Sequence, residues 1–466
     1  MVESESRAPE AMGRTETVMQ AIRRRIAGHA LAPGDKLPSI RKFARDMAVS
    51  PSTVVEAYDR LVAEGLIRPR AGSGFYVSAA MAPVARPDAL PEVERAVDPF
   101  WVSRQSLDGG REMLRPGCGW LPPDWMPLAA IRRATRAAAK TDDAVLVEYG
   151  STRGSPALRR LLVRQFMAQG IEAGAEQVLL TSSGTQAIDL ICRLLLRPGD
   201  TVLVDDPCYF NFRALLRAHA VRVVGVPYTP TGPDVDLFEE ALATHRPRLY
   251  LTNSALHNPT GASLSPRTAH RLLAAATAHD VTIVEDEIFA DFEPEPSPRL
   301  AALDGLNRVI RIGSFSKTLS ASIRCGFIAA RPELVDGLIE LQLATGFGGP
   351  SPLAAELVFR TLSDGSYYKH LAGLRSRLVR RRREMIAELA KLDVHPWTLP
   401  RGGFYLWCRL PRATDAAEVA KSALRDGVVL APGNVFSVTQ SATDFMRFNV
   451  AQMNADVLKL LQRTLG

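Results

Sequence analysis

Apolar residues in the first part of the chain recur at helical spacing. Between Thr15 and His29, Val18, Ile22 and Ile26 fall four apart and form one stripe of an amphipathic helix. Ser39 can cap a second helix whose apolar positions are Ile40, Phe43, Ala44 and Met47. Ala48 and Val49 make a turn. Ser50 and Pro51 then open a third helix, with Val54, Tyr58, Leu61 and Val62 facing inward and Gly65 just past its end. Two short segments, Ile67-Arg68 and Phe75-Val77, flank Arg70-Ala71-Gly72-Ser73-Gly74 and predict a two-stranded hairpin with a glycine tip. Residues 79–105 hold four prolines and little periodicity, which suits an extended linker. From about residue 106 the pattern changes. Short β-branched runs such as QVLLTSS, TVLVDDP, VRVVGVPY, RLYLTNSA and VTIVEDE alternate with helical stretches rich in Ala, Leu and Arg. That alternation predicts a mostly parallel α/β sheet. The expected plan is a disordered lead over 1–13, a compact module over 14–78, the linker, and a large α/β domain over 106–466.

Composition narrows the class. The 466 residues are 46% hydrophobic and 23% charged, so the chain can bury a sizeable core in two or three domains. The formal net charge is +7, and the module carries much of it: 11 Lys+Arg minus 6 Asp+Glu over 14–78 gives +5. The five cysteines are scattered, with no zinc or redox spacing, so no metal is expected. The N-terminus lacks an apolar signal core, and no run is long enough to span a membrane; a cytoplasmic protein is expected. Lysine is scarce, 8 against 49 arginines, which makes single lysines worth following. The basic run over 377–385 lies in a helical pattern and reads as a solvated arginine face.

Two helices at a short turn followed by a hairpin can place a helix N-terminus in a major groove of double-stranded DNA. Lys36, Ser39, Arg41, Ser50, Ser52, Thr53, Arg70 and Gly72 are the expected DNA-binding residues. The competing reading is a small helical bundle without a nucleic-acid role. The basic wing weighs against it.

The large domain carries five features in order. Thr181-Ser182-Ser183-Gly184-Thr185-Gln186 lies between a strand and a helix, where backbone N–H groups can cradle a phosphate. Tyr209 can stack on a flat heterocycle. Asn258 can donate to a ring hydroxyl. Asp286, at a strand end, can keep a pyridine nitrogen protonated. Lys317, in Ser314-Phe315-Ser316-Lys317, can form a Schiff base with an aldehyde, and Arg324 can hold an anion. Each has a bland explanation alone, as a turn, a cap or a core ring. Together they point to one cofactor.

The segment PGDKLPSIRKFARDMAVSPSTVVEAYDRLVAEGLIRPRAGSGFYV resembles the GntR-family winged helix-turn-helix. Pro51 and Val55 stand where many relatives carry arginines. Residues 106–466 resemble fold-type-I aminotransferases. The combination is similar to the MocR subfamily of bacterial regulators. The resemblance implies that pyridoxal 5'-phosphate is the cofactor, with Lys317 its covalent anchor, Asp286 on the pyridine nitrogen, Asn258 on the ring oxygen and Tyr209 on the ring face. Ser183, Gly184, Thr185, Ser314 and Arg324 would hold the phosphate. Tyr149 would reach the partner subunit's phosphate in a homodimer, and Arg447 would clamp an effector carboxylate. Phe289 replaces a tyrosine common in relatives. The implied function is a transcriptional regulator that senses an amino acid or amine by aldimine exchange at Lys317. The alternatives are an active aminotransferase carrying a DNA-binding head, with transamination weakened by Phe289, and a purely structural regulator with a vestigial cofactor site.

Overall fold

The computed structural model describes residues 13–28, 30–78, 97, 99–110, 112–412 and 414–465. Most of the expected lead and linker lies outside these residues. The chain divides into two compact units between residues 94 and 95.

The first unit is the expected winged module. Helices α1 (Arg14–Ala27), α2 (Ile40–Asp46) and α3 (Pro51–Ala63) precede strands β1 (Ile67–Arg70) and β2 (Gly74–Val77). The strands pair antiparallel, Ile67 opposite Val77. Val18, Ile22, Phe43, Val54, Tyr58 and Leu61 are fully buried, as the periodicity predicts. Tyr58 Oη–H donates to Pro38 O at 2.9 Å, which satisfies the one polar atom of a core ring. Ser39 accepts from Lys42 N and Ser50 from Thr53 N, so both predicted caps are present. Ala48 takes the left-handed conformation at the turn, φ 52°.

In the second unit, residues 99–108 form a helix, α4 (Pro99–Asp108), rather than the end of a linker. Pro99 opens it, and Trp101 and Val102 bury one side, a stripe too short to stand out among the prolines before it. The main sheet has eight strands. In chain order they are β3 (Val178–Thr181), β4 (Thr201–Asp206), β5 (Arg222–Thr229), β6 (Gly232–Pro233), β7 (Leu249–Thr252), β8 (Thr282–Asp286), β9 (Val309–Ser314) and β10 (Gly326–Ala329). Their spatial order is β3-β10-β9-β8-β7-β4-β5-β6. The pairs from β9 through β5 are parallel, while β10 runs antiparallel to both neighbours. A smaller antiparallel sheet follows, order β11-β12-β14-β13, from β11 (His395–Pro396), β12 (Tyr405–Arg409), β13 (Ala431–Pro432) and β14 (Phe445–Asn449). Two apolar clusters fill the space around the main sheet. Among the described residues, no helix is long and apolar enough to cross a membrane.

The basic run is not simply a solvated face. Arg382 is buried on the helix Ser366–Ala390 and donates to Gly403 O at 2.7 Å, and Arg381 donates to Val450 O and Met453 O. These arginines satisfy carbonyls where the helix meets loops of the smaller sheet, a demand that hydropathy does not reveal.

Candidate functional site

A cleft opens at the carboxyl ends of the parallel strands, the usual position for ligands in open α/β sheets. It is lined by Ser183, Gly184, Thr185, Tyr209, Asn258, Asp286, Phe289, Ser314, Lys317 and Arg324, among others. Nearly the whole sequence-predicted set therefore converges, although its members span some 140 positions.

Each group is placed by its element. Ser183 follows β3 and caps the helix Gly184–Leu195, its Oγ accepting from Gln186 N at 3.0 Å. Residues 183–185 at that helix start line the cleft, with Ser314 at the end of β9 beside them. Ser314 Oγ lies 2.9 Å from Ser316 Oγ. Gly326 stands close by, where an added Cβ would come to 2.8 Å from Gly313 O and 3.2 Å from Gly184 N. The backbone here is packed too tightly for a side chain. Arg324 holds φ at 57°, which turns the chain beside the same cradle. The donor chemistry suits a phosphate.

Asp286 ends β8, and its Oδ1 accepts from Ile288 N at 3.1 Å. Burial raises its pKa to about 7. Asn258 is fixed at both ends: its N–H donates to Asn253 Oδ1 at 2.9 Å, and its Oδ1 accepts from Arg447 Nη1 at 2.8 Å. Its side-chain NH2 is left as the group that faces a ligand. Lys317 lies in the turn after β9, and its Nζ donates to Gly119 O at 2.6 Å. Burial lowers its pKa from 10.5 to about 8. An amine, a carboxylate, a phosphate cradle and the Tyr209 ring together match the functional groups of pyridoxal phosphate.

Two predicted residues lie elsewhere. Tyr149 is 80% exposed and meets Phe347 edge-on at 4.9 Å, outside its own chain's cleft. Arg447 lies behind the cleft wall, 1% exposed. Its Nη2 donates to Gly117 O at 2.7 Å, and its Nε has no acceptor among the described residues. Its guanidinium carbon sits 4.2 Å from the Tyr405 ring centroid and 4.7 Å from that of Phe436.

Sequence reasoning missed several lining residues, notably Gly119, Asn253, Ile288 and Tyr405. Gly119 and Tyr405 sit in glycine-containing strings, PGCGW and RGGFYLW, which were the available signal.

The first unit presents its own surface. Lys36, Ser39, Arg41, Ser50, Ser52, Arg70 and Gly72 are exposed and Thr53 is partly so. Ser50 Oγ lies 2.8 Å from both Ser52 Oγ and Thr53 Oγ1 at the start of α3. On the wing, the Arg70 guanidinium sits 4.4 Å from the Tyr76 ring centroid, and Lys36 Nζ approaches the same ring at 6.0 Å. The two cations are thus gathered on one aromatic platform beside the tip.

Comparison with known proteins assigns a family to each unit. Residues 123–465 match the family described as aminotransferase class I and II, and residues 14–77 match the bacterial regulatory proteins of the gntR family. The HTH-type transcriptional regulator YdcR of Escherichia coli is 29% identical, covering 94% of this chain and 95% of its own. The HTH-type transcriptional regulator NorG of Staphylococcus aureus is 26% identical over 86% of this chain and 92% of its own. Among solved structures, the α-aminoadipate aminotransferase LysN of Thermus thermophilus, complexed with N-(5'-phosphopyridoxyl)-L-leucine, aligns with a TM-score of 0.71 at 27% identity. It covers 78% of this chain and 94% of its own.

Proposed function

We propose, from the premise that the chain belongs to the class I and II aminotransferase family and carries a gntR-family head, that it is a pyridoxal-phosphate-dependent, DNA-binding transcriptional regulator. The observation that carries the reading is the presence, on one chain, of a lysine-bearing cleft and a capped recognition helix with a basic wing. An enzyme alone has no use for the second.

When bound, pyridoxal phosphate supplies an aldehyde that condenses reversibly with amines, and a ring that withdraws electrons. The rest is done by this chain. Ser183, Gly184, Thr185, Ser314 and Arg324 hold the phosphate. Asp286 would hold a proton on the ring nitrogen. Asn258 donates to the ring oxygen through its NH2, because Arg447 occupies its Oδ1. Tyr209 covers one ring face. Lys317 would be the amine that anchors the cofactor and with which an amino acid or amine effector would compete, and Arg447 would hold an effector carboxylate. Tyr149, exposed beside Phe347, serves the cofactor phosphate of a second copy, so the working unit is a homodimer in the cytoplasm. In the head, α3 enters the major groove with Ser50, Ser52 and Thr53 near its leading end. Lys36, Ser39, Arg41, Arg70 and the Gly72 backbone hold phosphates.

Two measurements test this reading. Purified protein incubated with pyridoxal phosphate should turn yellow, and borohydride should fix the cofactor on the peptide containing Lys317. A protein that stays colourless and unmodified refutes the cofactor assignment. The rate of covalent capture should rise with pH and level off near 8, where the Lys317 amine loses its proton, rather than near the 10.5 of an ordinary lysine. A rate still climbing steeply above pH 9 contradicts that environment.

The DNA assignment is tested on duplexes selected from a random pool by the full chain. Arg41→Ala and Arg70→Ala should weaken binding to all selected sequences to a similar extent. Each should also reduce the dependence of log affinity on log salt by about one unit. Unchanged affinity and salt slope in both variants would remove these residues from the interface.

A further inference from the structure

Glu285 and Glu287 flank Asp286 in sequence but do not line the cleft. Both are buried in a cluster of charged groups. Glu285 lies opposite Arg311 in the β8–β9 register. Its Oε1 accepts from Leu300 N at 2.8 Å and its Oε2 from Ala301 N at 2.9 Å. Glu287 stands 2.5 Å from Arg299 and 3.6 Å from Arg311, and Glu293 accepts from Arg299 at 2.6 Å. The Phe166 ring covers Arg311, its centroid 4.6 Å from the guanidinium carbon.

Two independent counts require one of these carboxyls to keep its proton. The first is of charge. Three acids, Glu285, Glu287 and Glu293, face two bases, Arg299 and Arg311, and none of the five is more than 5% exposed. Fully ionised, the cluster would hold one uncompensated negative charge in the interior, which protonation removes. Asp291, partly buried near Arg311 and bonded by Tyr367 Oη at 2.7 Å, adds no positive charge. The second count is of hydrogens. The buried Ser254 hydroxyl lies 2.7 Å from Glu285 Oε1 and 3.0 Å from Glu287 Oε1. It has one hydrogen for two carboxyl oxygens. Both contacts are satisfied when one carboxyl donates to Ser254 Oγ and Ser254 donates to the other. The arginines decide which: Glu287, against Arg299, is the ionised member. An un-ionised Glu285 still accepts its two N–H bonds. Burial and the charge of Glu287 push the Glu285 pKa up to about 7, the same direction.

We propose that Glu285 is an un-ionised positioning residue: its O–H donates to Ser254 Oγ, Ser254 donates to Glu287, and this chain ties the strand ending in Asp286 to the loop carrying Asn258. The neighbouring Asn253 spans the same two segments. Its Nδ2 donates to Asp286 O, and its Oδ1 accepts from Asn258 N at 2.9 Å. Asp286 and Asn258 are the residues assigned to the cofactor's ring nitrogen and ring oxygen, so the proton bridge fixes their spacing. That role rests on the cofactor reading; the place of the proton does not. When the proton leaves, two carboxylates face one hydroxyl and the tie slackens.

The test uses the full chain. Glu285→Gln supplies a permanently neutral group of the same shape, and Ser254→Ala cuts the bridge outside the cleft lining. Infrared difference spectra, wild type minus Glu285→Gln, should show the carbonyl stretch of an un-ionised carboxyl at about pH 6 and lose it above about pH 8. In denaturant, the native wild type keeps a proton that the unfolded glutamate, with its ordinary pKa of 4.5, has released. Stability is then lost as pH rises: relative to Glu285→Gln, the unfolding constant of the large unit should climb about tenfold per pH unit from about pH 5 to 7 and then level off. At about pH 6.5, Glu285→Gln should bind pyridoxal phosphate like the wild type, and Ser254→Ala roughly tenfold more weakly. Raising the pH through 7 should weaken the wild type relative to Glu285→Gln. Absence of the un-ionised band, or parallel pH dependences of unfolding, overturns the assignment of the proton. So does a Glu285→Gln chain that fails to fold, since an amide serves where a neutral acid serves. Wild-type cofactor affinity in Ser254→Ala, or parallel pH profiles of cofactor affinity in wild type and Glu285→Gln, overturns the positioning role. A wild type that shows the proton and takes up no cofactor refutes the cofactor reading instead.

Discussion

Replacing Lys317 with alanine should leave a protein that folds and binds operator DNA but fixes no cofactor under borohydride and no longer responds to effector. The side chain sits in a cleft and holds a loop carbonyl, that of Gly119. Its loss leaves no large apolar void, so stability should change little. The recognition helix belongs to a separate compact unit, so DNA affinity without effector should stay near the wild-type value. The response should vanish because an effector shifts a conformational equilibrium only through its unequal affinity for the two states. On the proposed reading, that inequality comes from displacement of this one amine. In the wild type, a coupling of about 1–3 kcal/mol would change operator affinity roughly 5- to 150-fold, and operator DNA must change effector affinity by the same factor. Operator titrations with and without effector, on both proteins, measure it. A Lys317→Ala protein that retains the full response would place the sensor elsewhere. Rapid turnover of an amino acid with a 2-oxo acid, with no effect of any ligand on DNA binding, would favour the aminotransferase alternative.

Arg299→Ala should be among the most destabilising single changes in the large unit. Arg299 is 5% exposed, forms an ion pair with Glu287 at 2.5 Å, and donates to Glu293 Oε2 at 2.6 Å and to the Ser297 carbonyl at 3.0 Å. Arg311 approaches the same Glu287 at 3.6 Å, and Glu285 nearby accepts from Leu300 N and Ala301 N and meets Ser254 Oγ. Truncating the central guanidinium takes the counter-ion from buried Glu293 and leaves buried Glu287 with only the more distant Arg311. Breaking such a pair costs about 3–5 kcal/mol, a large part of a typical domain's total stability. Denaturant unfolding of the full chain should show the large-unit transition at lower concentration and the head transition unmoved. Adding Glu287→Gln and Glu293→Gln should recover part of the loss, since the stranded charges are then gone. A loss below about 1 kcal/mol would mean that the network relaxes into water on truncation.

The winged head was legible almost to the residue because its signals are local. Ser39, Ser50, Pro51 and Gly65 punctuate the helices, and the four-residue apolar spacing gives the inward faces. The lining of the cleft was legible at strand ends and in the loops just after them, as at Asp286, Asn258 and Lys317. Other features were not, for three different reasons. Helix α4 is short and begins at a proline in a proline-rich stretch, so its Trp101–Val102 stripe was lost in its surroundings. Arg382 is buried by the carbonyls it satisfies, a cause that lies in distant loops. Tyr405 belongs to the smaller sheet, and its meeting with Gly119 and Lys317 joins three segments far apart in sequence. Periodicity reports which face of an element is covered and is silent about which remote side chain covers it.

The stretch from Val97 to Trp120 bears on how the large domain can be excised. Val97 is 6% exposed, and its carbonyl accepts from Asn434 Nδ2 at 3.0 Å. Arg115 then ties the end of α4 to the following loop through Ser106 O and Gly110 O. The carbonyls of Gly117, Cys118, Gly119 and Trp120 accept from Arg447, Asn449, Lys317 and Asn449 in turn. The family match begins only at residue 123. A fragment cut to that boundary would strip the donors of Arg447, Asn449 and Lys317 of their acceptors and take Gly119 out of the cleft wall. A useful truncation starts at or before Val97, and a shorter one that fails to bind ligand reports on its own missing wall.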